Sequence, residues 1–261
     1  MSMHEIHPQA VVAASARLGP RVKIGAWAVV GEHVELGEAC VLDAHVVVQG
    51  PATFGRHNVF HPFCSIGGDP QDLKFHGEQT ELTVGDGNTF REYVTVSRGT
   101  VGGGGKTTIG NGSLFMAYSH VAHDCHVGNE TIFANGATLA GHVTVEDFAT
   151  IGAFSPVHQF CRIGRYAYIG ASTVITQDVP PFSLVVTERS SKSYGVNSIG
   201  LERKGFSKER LQLLQRAYRL LLQSKMNTSQ ALAEMRATLA ASEDVNELIL
   251  FIEAAERGIV K

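Results

Sequence analysis

An aliphatic or aromatic residue recurs at every sixth position from Ile6 onward, at Ile6, Val12, Leu18, Ile24, Val30, Leu36, Leu42, Val48, Phe54, Phe60 and Ile66. The beat resumes at Val84, Phe90 and Val96, shifts by one, and runs from Ile109 through Phe115, Val121, Val127, Phe133, Leu139, Val145, Ile151, Val157, Ile163 and Ile169 to Ile175. Small residues such as Ala10, Ala16 and Ala28 recur within the hexads, and glycine often follows the apolar residue, as at Gly19, Gly25, Gly31, Gly37, Gly55 and Gly67. A beat held this long is an internal repeat, and such a repeat decides the whole fold. It predicts an all-β solenoid, a parallel β-helix in which each hexad is one short strand and one turn. Three hexads close a triangular coil with the apolar residue inward and glycine easing the bend. A single coil has no core, so it buries its apolar face on its neighbours, with strands about 4.8 Å apart.

Two stretches break the beat, Gly68 to Leu82 and Gly99 to Lys106. Insertions in a solenoid are extruded as loops and often carry binding groups; Gln71, Asp72 and Lys74 stand out in the first. The prolines of D-V-P-P, Asp178 to Pro181, are expected to end the solenoid, because proline cannot continue a ladder. Residues 1–181 then form the β-helix and 182–261 a C-terminal segment and helical domain. Phe182 to Gly205 reads as irregular. Three helices follow, capped by Ser207, by Thr228 or Ser229, and by Ser242. Leu211, Leu214, Tyr218, Leu221 and Leu222 make the apolar stripe of the first.

The 261 residues allow one or two domains. A formal charge of -3 gives no basic excess that would favour nucleic acid. The cysteines Cys40, Cys64, Cys125 and Cys161 form no C-x-x-C pair, which argues against a zinc ribbon and for a reducing compartment. The start M-S-M-H-E-I-H-P lacks the pattern of a signal peptide, and no apolar run approaches the roughly 20 residues of a membrane span. The expectation is a cytoplasmic protein without stable membrane insertion.

Candidate chemistry concentrates in S-H-V-A-H-D-C-H-V-G, Ser119 to Gly128. His123 reads as a general base, since an unperturbed imidazole titrates near ~6.5, and Asp124 as the group that orients it. His123, His142 and His158 are spaced by 19 and 16, each near one coil of eighteen, which predicts neighbouring rungs on about the same side. From spacing alone such a ladder is equally a catalytic cleft or a zinc site.

The hexads, V-G-x-x-x-x and I-G-x-x-x-x foremost, resemble the hexapeptide acyltransferase superfamily, whose members form left-handed β-helices. The hand is implied by that resemblance, against the usual right-handed crossover. Q-D-L-K at Gln71 to Lys74, R-G-T at Arg98 to Thr100, H-x-A-H-D at His120 to Asp124, A-G-H at Ala140 to His142, H-Q-F at His158 to Phe160, D-V-P-P, and G-V-N at Gly195 to Asn197 narrow it. Together they resemble the acyl-[acyl-carrier-protein]–UDP-N-acetylglucosamine O-acyltransferases, from the first hexads into the C-terminal helices.

That resemblance implies transfer of an (R)-3-hydroxyacyl chain from acyl carrier protein to the 3-hydroxyl of UDP-N-acetylglucosamine, the first step of lipid A synthesis. Transfer is direct, with no acyl-enzyme, metal or cofactor. His123 is implied as the base, Asp124 as holder of its tautomer, and the Gly141 N–H as oxyanion donor. Asp72, His142 and Gln159 match contacts to the nucleotide sugar; Asn197, Arg203 and Lys204 match the uridine and phosphate end. Lys74, His120 and His158 line the cleft, and Ala171 sits where acyl-chain length is set. A homotrimer is implied, with sites between subunits, so the Gln71–Lys74 loop can act across the interface. Two departures stand out: Lys204 replaces an arginine and loses bidentate geometry, and Ser97 precedes R-G-T where some members have histidine. Arg203, Lys204, Lys208, Arg210, Arg216 and Arg219 are candidate docking groups for the acidic carrier protein, or a solvated face. The alternatives are the sister N-acyltransferase, for whose extra N-terminal domain hexads starting at Ile6 leave no room, a γ-type carbonic anhydrase-like zinc enzyme, and a non-catalytic hexapeptide scaffold.

Overall fold

The structure is a computed structural model and describes residues 4–187, 193, 195–255 and 259. The chain divides into two compact units, Met1–Thr187 and Glu188–Lys261.

The first unit is a left-handed parallel β-helix. Among the described residues its first face carries ten strands, from Glu5–Ile6 to Leu184–Val185. The second carries eight, from Val11–Val12 to Pro156–Val157, and the third eight, from Arg17–Leu18 to Arg162–Ile163. Every pairing is parallel; Val121, for example, lies beside Leu139, and Leu139 beside Val157. The periodic residues from Ile24 to Ile175 point inward and are buried. Phe60, Phe90, Phe115 and Phe133 stack in one interior column, with successive centroids 5.0, 4.8 and 4.7 Å apart. Ile6 remains 43% exposed, because among the described residues its strand is paired on one side only, with Lys23–Ile24.

The glycines do a different job from the one their spacing suggests. The corners turn at left-handed residues that are mostly not glycine, such as Tyr118 at φ 64° and His142 at φ 62°. Gly37 instead allows close stacking: a Cβ there would lie 2.4 Å from the Gly55 carbonyl oxygen. The prolines also act differently. Pro180 and Pro181 sit at a corner, where no ladder N–H is needed, and the chain lays down one more strand, Leu184–Val185, against Tyr168–Ile169.

Both interruptions leave from the corner between the second and third faces. The first runs between strands Ser65–Gly68 and Glu81–Val84, the second between Thr95–Ser97 and Lys106–Ile109. The second contains a short 3-10 turn, Val101–Gly103.

Among the described residues the second unit has four helices, one more than the pattern suggests: α1 Ser198–Arg203, α2 Lys208–Leu222, α3 Thr228–Leu239 and α4 Glu243–Glu253. Helix α1 falls within the stretch read as irregular, of which residues 188–192 and 194 lie outside the described ones. Ser207 and Ser242 cap α2 and α4. Helix α3 is capped one residue earlier than expected, by Asn227 in a capping box with Gln230. Leu214, Ala217, Leu221, Met235 and Ile249 are at the core of this bundle, while Tyr218 and Leu222 are only half-buried.

Candidate active site

The corner that extrudes both loops also carries the histidines. His123, Gly141 and Gln159 take the first turn place on three successive rungs, and Asp124, His142 and Phe160 take the second. The second-place residues are left-handed, with φ 58°, 62° and 67°. This geometry throws consecutive side chains to one side of the corner and lets neighbours in sequence meet. His123 Nδ1 lies 2.8 Å from Asp124 Oδ2. The tautomer assigned from that bond has Nδ1–H donating, which leaves the Nε2 lone pair free.

Asp124 is buried and held from several sides. Its Oδ1 accepts the Thr100 N–H at 2.8 Å, its Oδ2 accepts the Thr100 hydroxyl at 2.6 Å, and its own N–H donates to Thr107 Oγ1 at 2.8 Å. A buried carboxylate needs such partners to remain charged. The His142 ring meets His123 edge to face at 5.2 Å and stacks on Phe160 at 4.5 Å.

Gly141 faces the imidazole directly. A Cβ there would stand 2.6 Å from His123 Cε1 and 2.9 Å from Nε2. Among the described residues its N–H bonds no backbone carbonyl, and the same holds for His123 and Gln159 on the adjoining rungs. What sets Gly141 apart is the missing side chain beside the ring.

The remaining sequence candidates are more dispersed. His120 lies on the second face with Nδ1 2.7 Å from Thr95 Oγ1; burial, then the nearby His123 charge, pushes its pKa down. His158 falls one place before the turn, because spacings of 19 and 16 do not match a true eighteen. It is exposed, and its Nδ1 donates to the Gln159 carbonyl at 3.1 Å, so it does not join His123 and His142. Gln71 and Lys74 are exposed on the first loop, where Asp72 Oδ1 accepts the Lys74 N–H at 3.0 Å. Ala171 is exposed on another corner, between the first and second faces. In the second unit Asn197 caps α1 through Gly200 N–H, Arg203 closes that helix and Lys204 follows it. Arg210 is engaged by Asp244 at 2.7 and 2.8 Å and lies over Phe206.

His123, Asp124 and His142 could each offer one metal ligand, their atoms lying within 4.8 Å of one another. Two histidines and one carboxylate can hold a catalytic zinc with water as the fourth ligand, provided the carboxylate is free to ligate. His158 does not reach the cluster, and Asp124 Oδ2 already accepts two hydrogen bonds. Cys125 beside the pair is buried, and burial pushes its thiol up to about 12, so it is a core residue and not a nucleophile. The sequence reading assigned no role to Thr100, although R-G-T was visible, nor to Gly103 within the glycine run.

Comparison with known proteins agrees with this architecture. A six-repeat bacterial transferase hexapeptide model matches residues 106–141, and a model described as UDP-N-acetylglucosamine O-acyltransferase, domain 2, matches residues 178–260. An acyl-[acyl-carrier-protein]–UDP-N-acetylglucosamine O-acyltransferase of Stenotrophomonas maltophilia is 48% identical, over 98% of this chain and 97% of its own. The Halorhodospira halophila protein of that name is 46% identical, over 99% and 100%. Among solved structures, the UDP-N-acetylglucosamine O-acyltransferase of Moraxella catarrhalis matches with TM-score 0.67 and 39% identity, covering 98% of this chain and 99% of that one. Near-complete coverage at this identity, on the same solenoid, leaves the zinc and scaffold readings unsupported: the chain belongs to the acyl-[acyl-carrier-protein]–UDP-N-acetylglucosamine O-acyltransferase family and is an acyltransferase.

Proposed function

We propose that the His123 corner transfers an (R)-3-hydroxyacyl chain from acyl carrier protein to the 3-hydroxyl of UDP-N-acetylglucosamine, by direct attack and without a metal. The observation that carries the mechanism is the short bond from His123 Nδ1 to the buried Asp124 carboxylate, which leaves Nε2 free beside Gly141. Nε2 takes the sugar hydroxyl proton as that oxygen attacks the thioester carbonyl. Asp124 stabilises the imidazolium that forms. The Gly141 N–H donates to the oxyanion of the tetrahedral intermediate, a contribution worth roughly 3 kcal/mol in comparable sites. Collapse expels the carrier thiolate, which takes the proton back from His123.

His142 is placed by Phe160 to contact the sugar, with Asp72 and Gln159. Gln71, Lys74, His120 and His158 supply polar groups along the cleft, and Asn197, Arg203 and Lys204 supply those for uridine and phosphate. A homotrimer accounts for two features of the single chain. Leu73 stands 99% exposed on the first loop, where a neighbouring subunit can cover it. Ala171 and His123 lie on different corners, so an acyl chain touching both would run along a groove completed by a second subunit.

The test is a transfer assay with UDP-N-acetylglucosamine and a panel of (R)-3-hydroxyacyl carrier proteins. The wild type should be active after chelation, and His123→Ala should lose about a thousandfold in kcat. Loss on chelation, or an active His123→Ala, would sink the mechanism.

A further inference from the structure

We propose that Thr100 is a positioning residue for the reaction: its hydroxyl and N–H fix the Asp124 carboxylate so that His123 is held as a base with Nε2 free. The inference rests on the reading of His123 as that base.

Thr100 opens the second extruded loop and caps its 3-10 turn. Its hydroxyl oxygen accepts the Gly103 N–H at 3.2 Å. The hydroxyl hydrogen is therefore directed away from the loop, and it donates to Asp124 Oδ2 at 2.6 Å. The same oxygen accepts from His123 Nδ1 at 2.8 Å. The chain of donation thus runs in one direction, from Gly103 N–H to the Thr100 hydroxyl to Asp124, with His123 donating into its far end. A reversed tautomer at His123 would put two lone pairs face to face. Oδ1 is pinned separately by the Thr100 N–H at 2.8 Å, so the carboxylate plane cannot rotate without breaking both bonds.

Two further features keep Thr100 in place. A Cβ at Gly103 would lie 2.1 Å from the Asp124 carboxyl carbon, so only glycine lets the turn close over the carboxylate. Arg98, two residues earlier, is buried and ties the loop base down. Its N–H donates to the Gly68 carbonyl at 3.0 Å, its Nη1 donates to the Gly67 carbonyl at 2.6 Å, and its Nη2 pairs with Asp69. The glycine-rich loop is thereby built from the rung below onto the carboxylate behind the base.

The experiment compares Thr100→Val, Thr100→Ser, Asp124→Asn and the double variant Thr100→Val/Asp124→Asn by steady-state acyl transfer, with thermal melts to confirm folding. Thr100→Val keeps the shape and loses the charge-assisted bond to Asp124 together with the bond accepted from Gly103 N–H. It should lower kcat by roughly ten- to a hundredfold, with KM for the sugar nucleotide changed by less than about threefold. Thr100→Ser should stay within about threefold of wild type. In the Asp124→Asn background the Thr100→Val change should cost less than about twofold, because its route to the base is already lost. Wild-type kcat in Thr100→Val, equal loss in Val and Ser, or full additivity with Asp124→Asn would overturn the proposal. If Thr100→Val misfolds, the Ser variant and the cycle run with Thr100→Ala decide it. An active His123→Ala would overturn the base reading as well, whereas inactive His123→Ala beside unimpaired Thr100→Val would overturn only this one.

Discussion

At Gly141 one hydrogen atom decides whether the base has room. Gly141→Ala would push a methyl to within 2.6 Å of the His123 ring, and a displacement of about 1 Å in a reacting group costs on the order of a hundredfold. The variant should fold normally by circular dichroism and lose about that much in kcat. His120 predicts a pH effect on stability. Its pKa is pushed down by burial and then by the His123 charge, so the unfolded chain binds its proton first as pH falls. The contribution is intact above the ordinary histidine value near ~6.5 and is lost progressively below it. Melting temperature should decline on acidification through that range, and His120→Gln should flatten the decline. His123 and Asp124 were legible because adjacent residues need no fold to be neighbours. Thr100, twenty-four positions from Asp124, was visible as a motif, but its role depends on where an extruded loop lands.

The periodic residues matter in proportion to the rungs on either side of them. Phe115 is fully buried between Phe90 and Phe133, whereas Ile6 lies on the first coil and is 43% exposed. Phe115→Ala should therefore cost about 3–5 kcal/mol in urea unfolding, while Ile6→Ala should stay below about 1 kcal/mol. The hexad beat located these strands because it is a direct record of which side chains point inward. It misjudged the glycines, since close approach between coils and the bend of one coil leave the same residue in the sequence. It also ended the solenoid too early at Pro180 and Pro181, because proline only removes a ladder N–H, which a corner does not need. Helix α1 carries little periodic signal over six residues, and its cap, Asn197, was read for chemistry instead.

Across the whole molecule, the proposed trimer makes a quantitative prediction. If the first loop serves the His123 of a neighbouring subunit, trimers reassembled from equal amounts of Lys74→Ala and His123→Ala chains contain some sites free of both changes. Random mixing should restore about a quarter of wild-type activity, a consequence of head-to-tail symmetry. No restoration, in trimers shown by mass analysis to be mixed, would place loop and base in one chain.

The sequence by itself determined the solenoid, the two loops and the His123–Asp124 pair, because a strict period and adjacency along the chain are one-dimensional facts. It also carried the family, through several short motifs that jointly span the chain. The tertiary structure alone decided which histidines share a site. A coil of eighteen brings His123, Gly141 and Gln159 into line, so His142 meets His123 across one place and His158 does not. It alone decided that both interruptions leave from the same corner, and that the second folds back to hold Asp124 through Thr100. Such contacts join residues whose separation in sequence includes an insertion of arbitrary length, and only the stacking of one coil on the next fixes where that insertion returns.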